Sequence, residues 1–167
     1  MPSLTMTPSS GLLPGEEVTV AGSGFGAGDH RFVYCSPEFV LGDAGSQAEH
    51  CTGWYGNDPI VPAADGTFET DGWGPIRQVD TRDGTTVCGS GADACSIGIT
   101  RWTVDLDPWS TPVLAVARYE LVPETFTASP AGGLLDGEEL TVEATGLSPG
   151  QAGLVVYCPR SASDHWL

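Results

Sequence analysis

The sequence predicts an all-β protein: a seven-stranded antiparallel sandwich followed by an incomplete copy of the same unit. Three observations carry this reading. Twenty-three glycines and 13 prolines break the 167 residues into short apolar runs, the punctuation of strands and turns. No longer stretch combines a 3.6-residue period with helix caps. The opening segment is also written twice. Residues 5–28 (TMTPSSGLLPGEEVTVAGSGFGAG) return as 127–150 (TASPAGGLLDGEELTVEATGLSPG), with 12 of 24 positions identical at an offset of 122. A repeat of that length is a domain repeat, far longer than a solenoid period of roughly 20–50 residues.

The elements follow in order. Residues 4–7 begin the first strand, and Pro8-Ser9-Ser10-Gly11 turns it. Residues 17–21 alternate, with Val18 and Val20 inward and Glu17 and Thr19 outward. Gly22-Ser23-Gly24 breaks this strand, and Phe25 is placed to plug the core at the corner. Residues 31–35 form the third strand, with Phe32 and Tyr34 on one face and Val33 on the other. Further strands are expected at 67–70, 76–80, 94–100 and 113–118, which makes seven, an immunoglobulin-like count. The first unit is read as 1–119, a linker as 120–124 and the partial second repeat as 125–167. That repeat supplies strands at 126–128, 139–143 and 154–158, where Val156-Tyr157-Cys158 copies Val33-Tyr34-Cys35 after a one-residue insertion. Three strands without an opposing sheet leave an apolar face and open edges, an arrangement that favours self-association.

Charge and cysteines narrow the function. Twenty-two acidic residues face six arginines and no lysine, for a net charge of -16. Phosphate backbones are bound by neutralising cations, so the ligand-free chain is not expected to bind nucleic acid. Acidity of this kind confers solubility or attracts a basic partner. No run approaches the roughly 18 apolar residues of a membrane span, and MPSLTM has no signal-peptide pattern. The first unit holds Cys35, Cys51, Cys88 and Cys95, which allow three connectivities. Pairing by proximity gives Cys35–Cys51 and Cys88–Cys95, stabilising by roughly 3 and roughly 2.5 kcal/mol. Zinc is the competing reading, but no CxxC or Cys/His pair has ligand spacing, and His30 and His50 read as isolated surface residues. Disulfides imply a secreted or cell-wall-exposed protein. Cys158, in the place of Cys35, is left over.

The run Ser10-Gly11-Leu12-Leu13-Pro14-Gly15-Glu16-Glu17-Val18-Thr19-Val20-Ala21-Gly22-Ser23-Gly24-Phe25-Gly26-Ala27-Gly28 resembles the N-terminal signature of the neocarzinostatin family, the apoproteins of enediyne chromoprotein antibiotics. Gly84-Thr85-Thr86-Val87-Cys88 and Cys95-Ser96-Ile97-Gly98-Ile99-Thr100 continue the match in order. The resemblance implies a seven-stranded sandwich with two disulfides and a hydrophobic cleft beside them. In that cleft an enediyne-like chromophore is held non-covalently, with no other cofactor, and the released small molecule damages DNA. It also implies antimicrobial action exerted through that ligand.

Carried onto this sequence, the cleft candidates are Ser96 and Thr100, four residues apart on one strand face. Trp54 and Tyr55, just after Cys51, resemble the aromatic floor of the cleft and could stack on a planar ligand. The plainer readings are two outward polar residues and a loop packed on the disulfide. No catalytic motif is present: GxSxG, HExxH and the P-loop are all missing. The pairs Asp80/Asp83 and Asp105/Asp107 read as loop solvation, and no metal site is expected. Two function classes remain. One is a carrier of a hydrophobic small molecule. The other is a repeated immunoglobulin-like spacer or adhesion module of an actinobacterial cell surface. The second draws on the repeat and on the arm 77–87 (RQVDTRDGTTV), which lacks the aromatics expected over a ligand.

Overall fold

The computed structural model describes residues 1–52, 55–82, 84–102, 111–133, 135 and 137–150. Two antiparallel sheets form the body. One has the order β1-β2-β5, from β1 (Ser3–Thr7), β2 (Val18–Ser23) and β5 (Phe68–Trp73). The other has the order β4-β3-β8-β9, from β3 (His30–Cys35), β4 (Tyr55–Ile60), β8 (Cys95–Arg101) and β9 (Val113–Tyr119). A separate ribbon pairs β6 (Gln78–Thr81) with β7 (Gly84–Val87). The seven-stranded immunoglobulin-like sandwich is therefore present, with one changed member. The expected strand at 76–80 belongs to the ribbon, and β4 takes its place in the sandwich.

Alternation builds the core. Leu4 and Met6 of β1 and Val18 and Val20 of β2 turn inward, as do Phe32 and Tyr34 of β3 and Ile97 and Ile99 of β8. Each such side chain contributes about 1.5–3 kcal/mol by leaving water. Phe25 is buried and closes one end, packed edge-on to His30 at 5.6 Å and tilted against Phe68 at 5.4 Å. Gly66 makes that closure fit: at φ +79° a Cβ there would stand 2.5 Å from the Phe25 carbonyl oxygen. At the other end Tyr34 and Tyr119 meet edge to face. Their hydroxyls donate to the Gly74 and Ile76 carbonyls at 2.7 and 3.0 Å, which anchors the entry to the ribbon.

His30 is a correction to the surface reading. It is buried, and its Nδ1–H donates to the Gly28 carbonyl at 2.9 Å. Burial holds its pKa below the ordinary histidine value. The signal lay in its position, since it opens β3 in phase with Phe32 and Tyr34.

The chain passes from the sandwich to a second hairpin, β10 (Thr125–Ser129) with β11 (Thr141–Thr145). Leu121 is still buried and its N–H donates to the Gly89 carbonyl at 2.9 Å, so the first half of 120–124 packs with the sandwich. The hairpin repeats β1–β2 at the offset of the sequence repeat. Ser3↔Ser23 becomes Thr125↔Thr145, and the facing hydroxyls are 2.8 and 2.6 Å apart. The Leu13 N–H donates to Glu16 at 2.9 Å, and the Leu135 N–H donates to Glu138 at 2.9 Å. The faces differ in cover: Leu4 is 8% exposed, whereas its counterpart Phe126 is 65% exposed. The expected third strand, 154–158, lies outside the described residues.

Candidate functional site

The two disulfides are formed. Cys35–Cys51 has an S–S distance of 2.06 Å and Cys88–Cys95 one of 2.10 Å. The first sits at the end of β3 and closes a loop that carries one unexpected element, α1 (Ala44–His50). Asp43 starts this helix, its carboxylate accepting from the N–H groups of Gly45 and Ser46 at 2.9 and 3.2 Å. The loop is further tied by the Ser46 hydroxyl, which accepts from the Val40 N–H at 2.8 Å. Ser36 donates to Glu38 at 2.7 Å and holds that carboxyl below the usual glutamate range.

The loop lies against the outer face of the four-stranded sheet, the side away from the core. An antiparallel sheet with one buried face commonly turns a polar face outward. This one instead carries a second apolar cluster: Val33, the Cys35–Cys51 disulfide and Val113 are buried, with Phe39 and Val116 packed against them. Cross-strand pairing explains the grouping, because Val33, Gly98 and Val116 are aligned across β3, β8 and β9. Gly98 has little room for a side chain, since a Cβ would stand 3.0 Å from Val113 and 3.1 Å from Val33.

Ser96 and Thr100 flank Gly98 on β8, paired with Cys35 and Arg31 respectively. Ser96 is 8% exposed and Thr100 is fully buried, its hydroxyl donating to the Arg31 carbonyl at 3.4 Å. Tyr55 opens β4, where its backbone pairs with Phe32. Trp54 lies outside the described residues, as do Asp83, Asp105 and Asp107. Asp80 accepts from the Thr85 hydroxyl at 2.8 Å across the ribbon, a structural contact. Among the described residues no group of three His, Cys, Asp or Glu side chains is placed to hold a metal ion, and no helix is long and apolar enough to cross a membrane.

The residue that sequence reading missed is Gln47. It is 4% exposed on α1, and its side-chain amide meets the start of β9 with both ends. Its Nε2 donates to the Thr111 carbonyl, and its Oε1 accepts from the Val113 N–H at 2.7 Å. A cavity of about 120 Å³ lies beside it, between Phe39, Asp43, Pro112 and Val113. A larger groove of about 800 Å³ opens at the far end of the sandwich, near Trp73, Ile76 and Arg77. Its two charged side chains are already engaged. Arg77 donates to the Val122 and Gly146 carbonyls at 2.9 and 2.8 Å and pairs with Glu124 at 3.0 Å. The smaller cavity borders the outer-face cluster; the larger groove is a joint between the sandwich and the second hairpin.

These features define an antiparallel β-sandwich whose four-stranded sheet carries a second apolar cluster on its outer face. Among solved structures, the chain is similar to macromomycin, with 20% identity over 72% of this chain and 98% of that one, at a TM-score of 0.46. It is also similar to apokedarcidin, known in solution, with 17% identity over 70% and 96% and a TM-score of 0.36. No protein-family model matches the chain, and no curated protein matches it.

Proposed function

We propose that this chain is a secreted, non-catalytic binding protein of the neocarzinostatin type that carries and protects a hydrophobic small molecule, an enediyne-like chromophore. The site is the outer face of the four-stranded sheet. Val33, Val113 and Val116 form its floor and Ser96 and Thr100 flank it, with Trp54 and Tyr55, the next aromatics in sequence after Cys51, as the proposed stacking pair. The observation that carries the reading is the second apolar cluster, which lies outside the sandwich core and next to the Cys35–Cys51 disulfide. The order of residues in 10–28, 84–88 and 95–100 supports it. Two disulfides fit an oxidising compartment. DNA damage and antimicrobial action would belong to the released ligand, because a chain of net charge -16 repels phosphate.

The test is titration with the neutral dye Nile red, comparing the parent with Val116→Glu, which places a charge on a half-buried position of this face. Saturable binding is expected in the parent, with little salt dependence because apolar burial drives it. It should be lost in the variant, and a retained cooperative thermal transition shows that the fold is kept. No saturable binding, or binding indifferent to Val116→Glu, would remove the carrier reading. The second reading, a repeated spacer or adhesion module, is favoured by one observation: β10–β11 reproduces the β1–β2 hairpin pair for pair.

A further inference from the structure

The geometry points to a carboxamide-recognition site at the start of β9, occupied in this conformation by the protein's own Gln47, and open to a neutral apolar ligand that bears a primary amide, whose N–H and C=O lie on the same side. The inference rests on the carrier reading and names the polar chemistry of that ligand. A β-strand offers a carbonyl acceptor and an N–H donor side by side on residues two apart, so a planar amide can engage both at once. Thr111 and Val113 present that pair, and the Gln47 amide engages both of its members. Both partners are almost fully buried, Thr111 at 3% exposed and Val113 at 7%. A buried donor and acceptor must stay satisfied, so whatever displaces Gln47 must bring its own donor and acceptor.

The surroundings set the rest of the ligand. Phe39 and Val113 border both the cavity beside Gln47 and the outer-face cluster, so an apolar body attached to the amide would run from the cavity onto Val33 and Val116. At about 120 Å³ the cavity is too small for such a body while α1 is docked. Binding therefore requires α1 to yield, and the Cys35–Cys51 disulfide keeps the loop tethered when it does. A neutral ligand is specified, since a carboxylate lacks the donor that the Thr111 carbonyl needs and meets a strongly acidic protein.

The experiment compares binding of 2-naphthamide and N,N-dimethyl-2-naphthamide, which keeps the carbonyl and loses both N–H donors, to the full chain and to Gln47→Ala. Removing the internal competitor should tighten 2-naphthamide by about tenfold or more, the worth of two net hydrogen bonds that no longer have to be broken. The dimethyl compound should gain less than about threefold. 2-Naphthamide should also raise the melting temperature of Gln47→Ala by refilling the vacated pair. Gln47→Asn, which withdraws the amide by one methylene, serves if the alanine variant does not fold, and should show the same preference in smaller degree. Equal gains for the two compounds, or no gain with either in a folded variant, overturn the amide site. Nile red binding to the parent separates that result from failure of the carrier reading. Dye binding with no amide preference removes only this inference, and absence of both removes the two together.

Discussion

Replacing Tyr119 with phenylalanine tests the packing at the ribbon end of the sandwich, and the effect should change with pH. Tyr119 is fully buried and its hydroxyl donates to the Ile76 carbonyl at 3.0 Å. Losing that bond leaves the carbonyl without its partner and should destabilise by about 1–2 kcal/mol at pH 8. Burial, and secondarily the neighbouring Tyr34, push the phenol well above the ordinary tyrosine range. The folded pKa is raised, so the contribution of this group is full below the unfolded value of about 10 and is lost as pH rises beyond it. Above about pH 10 the unfolded chain releases this proton and the native state retains it, so stability falls by about 1.4 kcal/mol per pH unit. The phenylalanine variant lacks this slope. Its deficit of about 1–2 kcal/mol should vanish near pH 11 and reverse above it. Urea unfolding from pH 8 to 11.5 reads the difference, with Cys158→Ser in both proteins to prevent thiol–disulfide exchange. A constant difference across that range would refute the reasoning, since it would mean that Tyr119 ionises in the native state without penalty.

The other predictions concern the disulfides and the two hairpins. Non-reducing peptide mapping should recover Cys35 with Cys51 and Cys88 with Cys95, and replacing the Cys88–Cys95 pair with alanine should cost about 2.5 kcal/mol in chemical denaturation; any peptide joining Cys35 to Cys88 or Cys95 contradicts the structure. Leu4→Ala should destabilise by about 2–4 kcal/mol because the side chain is buried, whereas Phe126→Ala at the equivalent place should stay within about 0.5 kcal/mol. Equal losses would mean that the second hairpin is covered in solution.

What the sequence made legible was whatever alternation could report. The assignment of Phe32 and Tyr34 to one face and Val33 to the other holds, as does the inward direction of Val18 and Val20. β4 escaped because YGNDPI carries Gly, Asn, Asp and Pro in six positions and pairs with β3 through a register shift. Helix α1 escaped because seven residues are too few to show a period, although Asp43 ahead of a short polar run was a readable cap. The expected strand at 76–80 was misplaced because alternation marks a strand and not its partner: Val79 is fully buried in the core while its neighbours pair only with β7. Gln47 was not legible at all. Nothing in AGSQAEH distinguishes a solvated glutamine from one whose amide is spent on a strand 64 residues away.

Two apolar surfaces outside the core bear on the two function classes, and they can be separated experimentally. The outer face of the four-stranded sheet holds an apolar cluster packed against the protein's own disulfide loop, with a side-chain amide at one edge. The face of β10–β11 is apolar and open, on a hairpin whose turns and side-chain hydrogen bonds are those of β1–β2. In the first unit that same hairpin is covered by Phe32, Tyr34, Ile97 and Ile99 of the opposing sheet. The same turn hydrogen bond thus accompanies a hairpin covered by an opposing sheet in one unit and an exposed one in the other. A small-molecule carrier needs only the first surface, and a repeated module needs only the second. Val116→Glu acts on the outer-face cluster, and Phe126 belongs to neither that cluster nor the core. Substitutions at distant sites without shared partners add within about 0.5 kcal/mol. A double variant carrying Val116→Glu and Phe126→Ala should therefore lose dye binding as the first substitution alone does and show the summed stability change. A non-additive result would mean that the second hairpin reaches the ligand face, and the two function classes would then describe one site.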